Sequence, residues 1–521
     1  MPEVIATIVL YAAFTAECML LSMQFVHMLQ LNAYRNERYI RWLKQNRSTV
    51  ANQMGWLLIA MIAVSCFLIQ PSDWMVRTAC SLLLLIHAYL NKPKKAKKPL
   101  VFTARVKRLF LTLFILMNAV FAVVYLTGMV RISLGGLFLW AALTPLSVPF
   151  ANLMNQPIEN AIANRYRRDA KRVLEAMPQL IVIGITGSYG KTSTKNFLGS
   201  LLSVKYNVLI TPENYNTTMG IVRTVREYLR PTHQIFIAEM GAKNTGDIGE
   251  ICRLVRPKYG MITSIGEQHL ETFKTVDNII KTKFELADSI PDDGLIFLNA
   301  DNPHIQSQKV GVRSVTYSID QDSHADYKVK DIKVSGDGST FTVVAPDGEA
   351  RAFSTKLLGA HNIQNIVGGI AVAHQLGITL TELVVPIKRL KPVEHRLQLL
   401  PNGYIDDAYN SNPAGFRAAL DVLSSFEGQR VLVTPGMVEL GERQDALNRE
   451  LGSYAATRCD YAVLVGEKQA PPLKDGLIKA GFPKEKLFVS VSLEKALEIV
   501  KSLPDEGKRT VLLENDLPDN F

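Results

Sequence analysis

Residues 184–194 read G-I-T-G-S-Y-G-K-T-S-T, and these residue types in this order suit a bound polyphosphate. Glycines let backbone N–H groups approach phosphate oxygens, a following helix N-terminus adds positive potential, and a lysine reaches the β- and γ-phosphates. The nucleotide-binding candidates are therefore Thr186, Gly187, Ser188, Gly190, Lys191, Thr192 and Ser193. The Thr192 hydroxyl is placed to ligate Mg²⁺. The general pattern G-x-x-x-x-G-K-[ST] asks for glycine six residues before the lysine, where Ile185 stands. The loop is thus the narrower form T-G-x-x-G-K-T.

Four further clusters carry polar chemistry. Q-I-F-I-A-E-M-G (234–241) is an apolar run ending in the carboxylate of Glu239, where a nucleotide enzyme places a Mg²⁺ ligand. T-S-I-G-E-Q-H-L-E (263–271) ends a second run with His269 between acids, and Lys281, Lys283 and Glu285 follow on a predicted helix. Asp406 and Asp407 lead D-D-A-Y-N-S-N-P (406–413), which opens a helix in a later segment. Singly, each has an ordinary structural explanation: a helix cap, a locally satisfied imidazole, a solvated lysine.

These side chains need a scaffold. A hydrophobic strand ending at residue 185 feeds the loop, and a helix over 193–202 follows it. Further strands at 207–210, 234–238, 259–264 and 295–298 alternate with helical patterns, which reads as a mostly parallel sheet covered on both faces. Around 325–355 short alternating strands with Asp-Gly turns (Asp337-Gly338, Asp347-Gly348) predict a small antiparallel insert. A second α/β unit, Rossmann-like, starts near Pro392, with strands at 431–433, 461–465, 487–491 and 510–513. The fold class is α/β, behind an N-terminal set of transmembrane helices. The divisions fall at 1–155, an amphipathic linker helix at 156–177, an ATPase domain at 178–391, and 392–521.

Apolar runs at 4–28, 54–69, 75–90, 109–130 and 134–153 suggest about five spans, with four as the fallback; the second and third are short for a span and could form a helical hairpin turning at residues 70–73. Basic residues cluster after the first run (Arg35, Arg38, Arg41, Lys44, Arg47) and after the third (Lys92, Lys94, Lys95, Lys97, Lys98, Arg105, Lys107, Arg108). The positive-inside rule then puts both loops, and everything after the last span, in the cytoplasm beside ATP. This charge accounts for much of the net +10, so anionic lipid is the partner it implies and nucleic acid need not be invoked. The five cysteines form no C-x-x-C pair, which suggests neither a zinc site nor a disulfide framework. Glu17 lies inside the first run, where the simplest reading is a carboxyl hydrogen-bonded within the helices, ahead of a functional one. The linker helix fits either a membrane surface or a soluble-domain face.

Taken together, the motifs resemble those of the Mur ligases, ATP-dependent amide-forming enzymes of peptidoglycan synthesis, and most of all their D-alanyl-D-alanine-adding branch. The matching runs include T-G-S-Y-G-K-T-S-T (186–194), N-Y-N-T-T (214–218) with Gly220, E-M-G (239–241) and H-L-E-T-F (269–273). They continue with K-x-K-x-E (281–285), N-A-D (299–301), G-A-H-N-I-Q-N (359–365), Arg396, D-D-A-Y-N-S-N (406–412) and G-M-V-E-L-G (436–441). The resemblance implies that ATP phosphorylates a substrate carboxylate and an amine attacks the acyl phosphate. It places Lys191 on the β/γ-phosphates and Thr192 and Glu239 on one Mg²⁺. His269 would serve a second ion, with Lys283, fourteen residues on, as a carbamylated ligand. Asn299 and Asn365 would lie on the nucleotide side, and Arg396 and Asp407 would close over ATP from the last domain. The implied partners are ATP, a carboxylate-bearing envelope precursor, an amino acid or dipeptide, and the lipid bilayer.

Departures bear on the substrate. Five apolar runs stand where relatives acting on soluble nucleotide-sugars carry a domain gripping the uridine diphosphate. L-E-N-D-L-P-D (513–519) replaces a Lys-Gly-Ser-like run, and Thr434-Pro435 a Leu-Gly. A ligase resembling the poly-γ-glutamate synthases, or a membrane-anchored ATPase switch without ligase chemistry, are the alternatives.

Overall fold

The computed structural model describes residues 1–66, 74–92, 99–126, 130–336, 338–409, 412–438, 440–466, 470–504 and 507–516. The turn at 70–73, Lys94, Lys95, Lys97, Lys98, Asp337, Asn410, Ser411, Glu439 and the run from Leu517 lie outside the described residues, as do the side chains of Cys66 and Glu271. The chain divides into two compact units meeting between Asn164 and Arg165.

The first unit is helical: α1 (Pro2–Leu31), α2 (Asn36–Gln45), α3 (Arg47–Cys66), α4 (Trp74–Leu90), α5 (Ala104–Leu126), α6 (Val130–Ala142) and the start of α7 (Thr144–Glu175). Phe14, Phe25, Leu84, Leu109, Leu113 and Phe138 build its core. Its outward face is also apolar: Ile8, Trp56, Ile59, Leu82, Ile86 and Ile115 are each more than half exposed. Among the described residues two helices, α1 and the stretch Ala104–Val123, are long and apolar enough to cross a membrane; a third counts if α6 and α7, bent by 73°, act as one. The five expected runs therefore include two shorter apolar helices, α4 and part of α3. Glu17 is fully buried, and its Oε1 lies 2.5 Å from Nδ1 of His87 on α4. The intramolecular reading of that carboxyl is the one the structure shows.

The linker expected at 156–177 is the far end of α7, which runs back to Thr144 through Pro149 and Pro157. Beyond Asn164 it packs on the second unit. Ala170 is buried in that core, Arg167 pairs with Glu250 at 2.6 Å, and Arg226 meets Asp169 at 2.5 Å. Beyond Asn164, then, the segment follows the second of its two readings and packs on the α/β unit.

The second unit holds two sheets and the insert. Strands β1 (Ile181–Thr186), β2 (Val208–Ile210), β3 (Ile235–Glu239), β4 (Tyr259–Ile262), β5 (Leu295–Asn299) and β6 (Ser314–Tyr317) form a parallel sheet in the order β2-β3-β1-β4-β5-β6. Unbroken burial along β3 and β5 follows from helices on both faces. Ile185 pairs with Glu239 on one side of β1 and Met261 on the other, so three strands end level at the crevice beside the central strand. The insert is β7 (Lys328–Ser335), β8 (Gly338–Val344) and β9 (Ala350–Thr355), antiparallel as expected.

The last sheet runs β10-β11-β15-β12-β13-β14, parallel except for β10. Its members are β10 (Gln398–Leu399), β11 (Tyr404–Asp407), β12 (Gln429–Thr434), β13 (Tyr461–Val465), β14 (Leu487–Ser490) and β15 (Arg509–Glu514). Asp406 and Asp407 correct the sequence reading here. They end a strand, and the helix opens later at Pro413, capped by Asn412 accepting from Gly415 N at 2.8 Å.

Candidate active site

The phosphate loop crosses the end of β1 and enters α8 (Lys191–Leu202). Gly190 has φ +80°, and a Cβ there would lie 2.6 Å from Asn365 Oδ1, so only glycine fits. Thr194 donates to that same Oδ1 at 3.1 Å, which anchors the loop to the helix Ala360–Gln375. Thr186 donates to Met240 O at 2.9 Å, and Ser188 to Gly266 O at 3.0 Å. Lys191 Nζ folds back on the loop, donating to Gly187 O at 2.6 Å and Ser188 O at 3.0 Å. Burial pushes its ammonium down to about 8; the Glu239 charge opposes this and Arg396 adds to it. An anion in the loop would favour the ammonium in turn.

Glu239 is the hub of the crevice. Its Oε1 accepts from Thr192 Oγ1 at 3.0 Å and from Asn216 Nδ2 at 3.0 Å. Its Oε2 is buried without a well-directed hydrogen bond and has the Lys195 ammonium at 3.2 Å. Burial opposes ionisation of this carboxyl, but Lys195, Lys191 and the Asn216 hydrogen bond outweigh it and hold the group below the usual carboxylate range. A hydroxyl and an ionised carboxylate with a buried open oxygen are hard donors, and they fit Mg²⁺. The sequence reading missed Lys195, although its spacing of four from Lys191 sets both on one helical face.

Lys283 is buried on the helix Val276–Phe284, 2% exposed. Burial holds its amine well below the ordinary lysine range and the nearby Lys191 charge adds to that, against Asp247 and Glu285. Glu285 serves the fold instead. It accepts from Gly246 N at 2.7 Å and Gly249 N at 2.8 Å, capping the helix Asp247–Val255. Lys281 is exposed. His269 begins the short helix Leu270–Phe273 with φ +52°. Asn299 is buried and joins strand ends, donating to Thr263 O at 2.7 Å and accepting from Asp301 N at 2.9 Å.

Across the crevice Arg396 reaches Thr192 Oγ1 at 3.4 Å and lies over the Tyr409 ring at 4.5 Å. Asp407 stays within its own domain, accepting from Leu397 N at 3.1 Å. Arg443 pairs with Glu267 between the two sheets' loops, a contact no motif announced. The structure thus gathers Lys191, Thr192, Glu239, Asn365 and Arg396. Asn299 holds strand ends beneath them, and Asp407 stands behind Arg396.

Comparison with known proteins agrees with this geometry. Residues 185–373 match the Mur ligase middle domain and residues 395–513 the Mur ligase, glutamate ligase domain. A UDP-N-acetylmuramoyl-tripeptide--D-alanyl-D-alanine ligase of Bacillus subtilis is 30% identical over 332 residues, 63% of this chain and 71% of that one. The Escherichia coli enzyme of the same name is 31% identical over 341 residues, 64% and 75% of the two chains. Among solved structures, MurF from Acinetobacter baumannii superposes with TM-score 0.61 at 28% identity, covering 68% of this chain and 77% of its own. MurF from Thermotoga maritima, in complex with ADP, shares the fold at TM-score 0.61 and 24% identity, covering 68% and 80%. With both domain models matched in order and the phosphate loop, Glu239 and Arg396 converging on one crevice, the chain belongs to the Mur ligase family and is an ATP-dependent amide ligase of peptidoglycan precursor synthesis, similar to MurF.

Proposed function

We propose that this chain joins D-alanyl-D-alanine, or a closely related amino acid or dipeptide, to a carboxylate on a peptidoglycan precursor at the cytoplasmic face of a membrane. The observation that carries the reaction is the Thr192–Glu239–Lys195 cluster beside the phosphate loop. The dipeptide comes from the names of the relatives. The membrane comes from the first unit, whose helices are apolar outside as well as inside, the pattern of a lipid-facing surface. Neither family domain extends into residues 1–184. In this reading the apolar helices span the bilayer several times, and the catalytic domains lie in the cytoplasm beside a lipid-linked acceptor.

The roles follow from charge and position. Lys191 leaves the loop carbonyls for the β/γ-phosphates, and Gly187, Ser188, Gly190 and Ser193 line the cradle through their backbone. Arg396 closes it from the last domain, with Asp407 behind it and Asn299 and Asn365 shaping the nucleotide side. Mg²⁺ held beside the cradle would supply positive charge that neutralises the phosphates. Thr192 and Glu239 would hold one ion, and His269 with Lys283 a second. Lys283 is suited to carbamylation because a buried neutral amine adds CO₂, releasing one proton and gaining an anionic oxygen. The substrate carboxylate takes the γ-phosphoryl group, giving an acyl phosphate, and the amine then attacks its carbonyl carbon, expelling inorganic phosphate and leaving the amide. Closure of the last sheet over the first would keep water from that intermediate.

The test is ADP release by the full chain in detergent with D-alanyl-D-alanine and either a soluble nucleotide-linked or a lipid-linked precursor. Turnover should require both carboxylate and amine and should favour the lipid-linked form. Acceptor-independent turnover would indicate a switch, and equal use of the soluble precursor would remove the membrane-substrate reading. Lys283→Ala should be rescued by short-chain carboxylic acids; full activity without them excludes the carbamate.

A further inference from the structure

The buried acid at the end of β15 has no part in the mechanism above, yet it sits where the sequence departs from the Lys-Gly-Ser-like run of its relatives. Glu514 is 1% exposed and is the direct neighbour of Asp407 in the parallel pairing of β11 with β15. The two carboxyl groups hydrogen-bond to each other. Such a bond exists only while one of them carries a proton.

Asp407 in turn holds a strained segment. His395 has φ +58° and Leu397 φ +48°, left-handed conformations unusual for residues with a Cβ. Strain of this kind persists only where the surroundings over-determine it. Here the surroundings are three contacts. Leu397 N donates to Asp407 Oδ1 at 3.1 Å, the His395 ring meets Asp406 Oδ2 at 2.7 Å, and Tyr409 N donates to His395 O at 3.3 Å. Between the two left-handed residues stands Arg396, which crosses to Thr192 at the start of α8.

We propose that Glu514 is a positioning residue for the nucleotide site, fixing the Arg396 segment through Asp407. The proposal rests on the nucleotide role given above to Arg396. A lysine at this position would meet Asp407 as a charge pair at any physiological pH, whereas a glutamate meets it only through a shared proton. The grip is therefore pH-dependent. Three charged groups act on Asp407 besides burial: Glu514, whose hydrogen bond favours the Asp407 carboxylate and so is donated by a protonated Glu514, Arg396, which also favours the carboxylate, and Asp406, which opposes it. Burial dominates and pushes the Asp407 carboxyl up to about 6. Asp407 therefore ionises first as pH rises through about 6, which leaves the Glu514 proton bridging the two groups, and the grip is lost only at higher pH, when the pair gives up that second proton.

The experiment measures equilibrium binding of a non-hydrolysable ATP analogue with Mg²⁺ to the full chain in detergent, from about pH 5.5 to about pH 9. Wild-type affinity should hold through about 6 and fall toward the alkaline end, as the pair loses its second proton. Glu514→Gln, whose amide donates without titrating, should keep the acid-side affinity across the range. Glu514→Lys should do the same by charge. Glu514→Ala should bind roughly fivefold more weakly at acid pH, the worth of one hydrogen bond between uncharged groups. Lys191 titrates in every variant, so the difference between profiles isolates the pair. A Glu514→Gln profile that parallels wild type overturns the proposal even if Glu514→Ala fails to fold. A wild-type chain that binds no analogue at any pH overturns the nucleotide-site reading, and this proposal with it.

Discussion

At Glu239 three side chains share two oxygens, and the distribution shows what each contributes. Thr192 and Asn216 occupy Oε1, while Lys195 faces Oε2 as an ion pair with both members nearly inaccessible. Removing one member of a buried pair leaves an uncompensated charge, which costs about 3 kcal/mol. Lys195→Met should therefore lower the melting temperature, and Mg²⁺ should restore part of the loss by supplying the missing positive charge. Thermal melts with and without Mg²⁺ check this; a loss of stability indifferent to Mg²⁺ would separate Lys195 from the metal position. Glu239 was legible in the sequence because an apolar strand ending in a carboxylate is a local pattern. Lys195 was passed over because a lysine on a helix is ordinarily solvated, and its burial depends on the fold above it. Glu285 failed in the opposite sense. It shares a motif with Lys283 but points to the N-terminus of another helix, where anions are favoured.

At the scale of elements, the loop and the helix Ala360–Gln375 are built against each other. Gly190→Ala would add both backbone strain and a collision with Asn365 Oδ1 at 2.6 Å. Gly348 is the control: its φ is +88°, but nothing lies within 4 Å of the added methyl. Both substitutions should cost about 1 kcal/mol in strain, and only Gly190→Ala should abolish nucleotide binding, as calorimetric titration would show. The same helix carries His361 in its first turn, where burial pushes the imidazole down to about 4 from 6.5. The folded state thus resists a proton that the unfolded chain accepts. This stability is present above about 6.5 and is lost as pH falls through about 4. His361→Asn should shrink the drop in melting temperature between neutral and mildly acid buffer; an unchanged drop would assign acid sensitivity to other groups. The elements hardest to read were short. β6 and β11 have four residues each, too few for periodicity to register, and they form because neighbouring strands supply the ladder.

At the scale of the whole molecule, the boundary between Asn164 and Arg165 separates two kinds of surface. A chain beginning at Arg165 keeps the end of α7, both sheets and the insert, and should bind nucleotide without detergent. The full chain should stay with membranes through carbonate and high-salt washes and leave only in detergent. Release by carbonate would place the first unit outside the bilayer. The sequence by itself determined the phosphate loop, the α/β alternation, the antiparallel insert and the family, because these are written in local spacing and hydrophobic period. Tertiary structure decided which ionisable groups are buried together: Lys195 with Glu239, Glu17 with His87, and Glu514 with Asp407. It also decided that Glu285 caps a helix and that α7 ends against the second unit's core. The physical reason is that a charge takes its meaning from its partners and its distance from water. Those partners lie tens to hundreds of residues away and meet only when the sheets and helices pack.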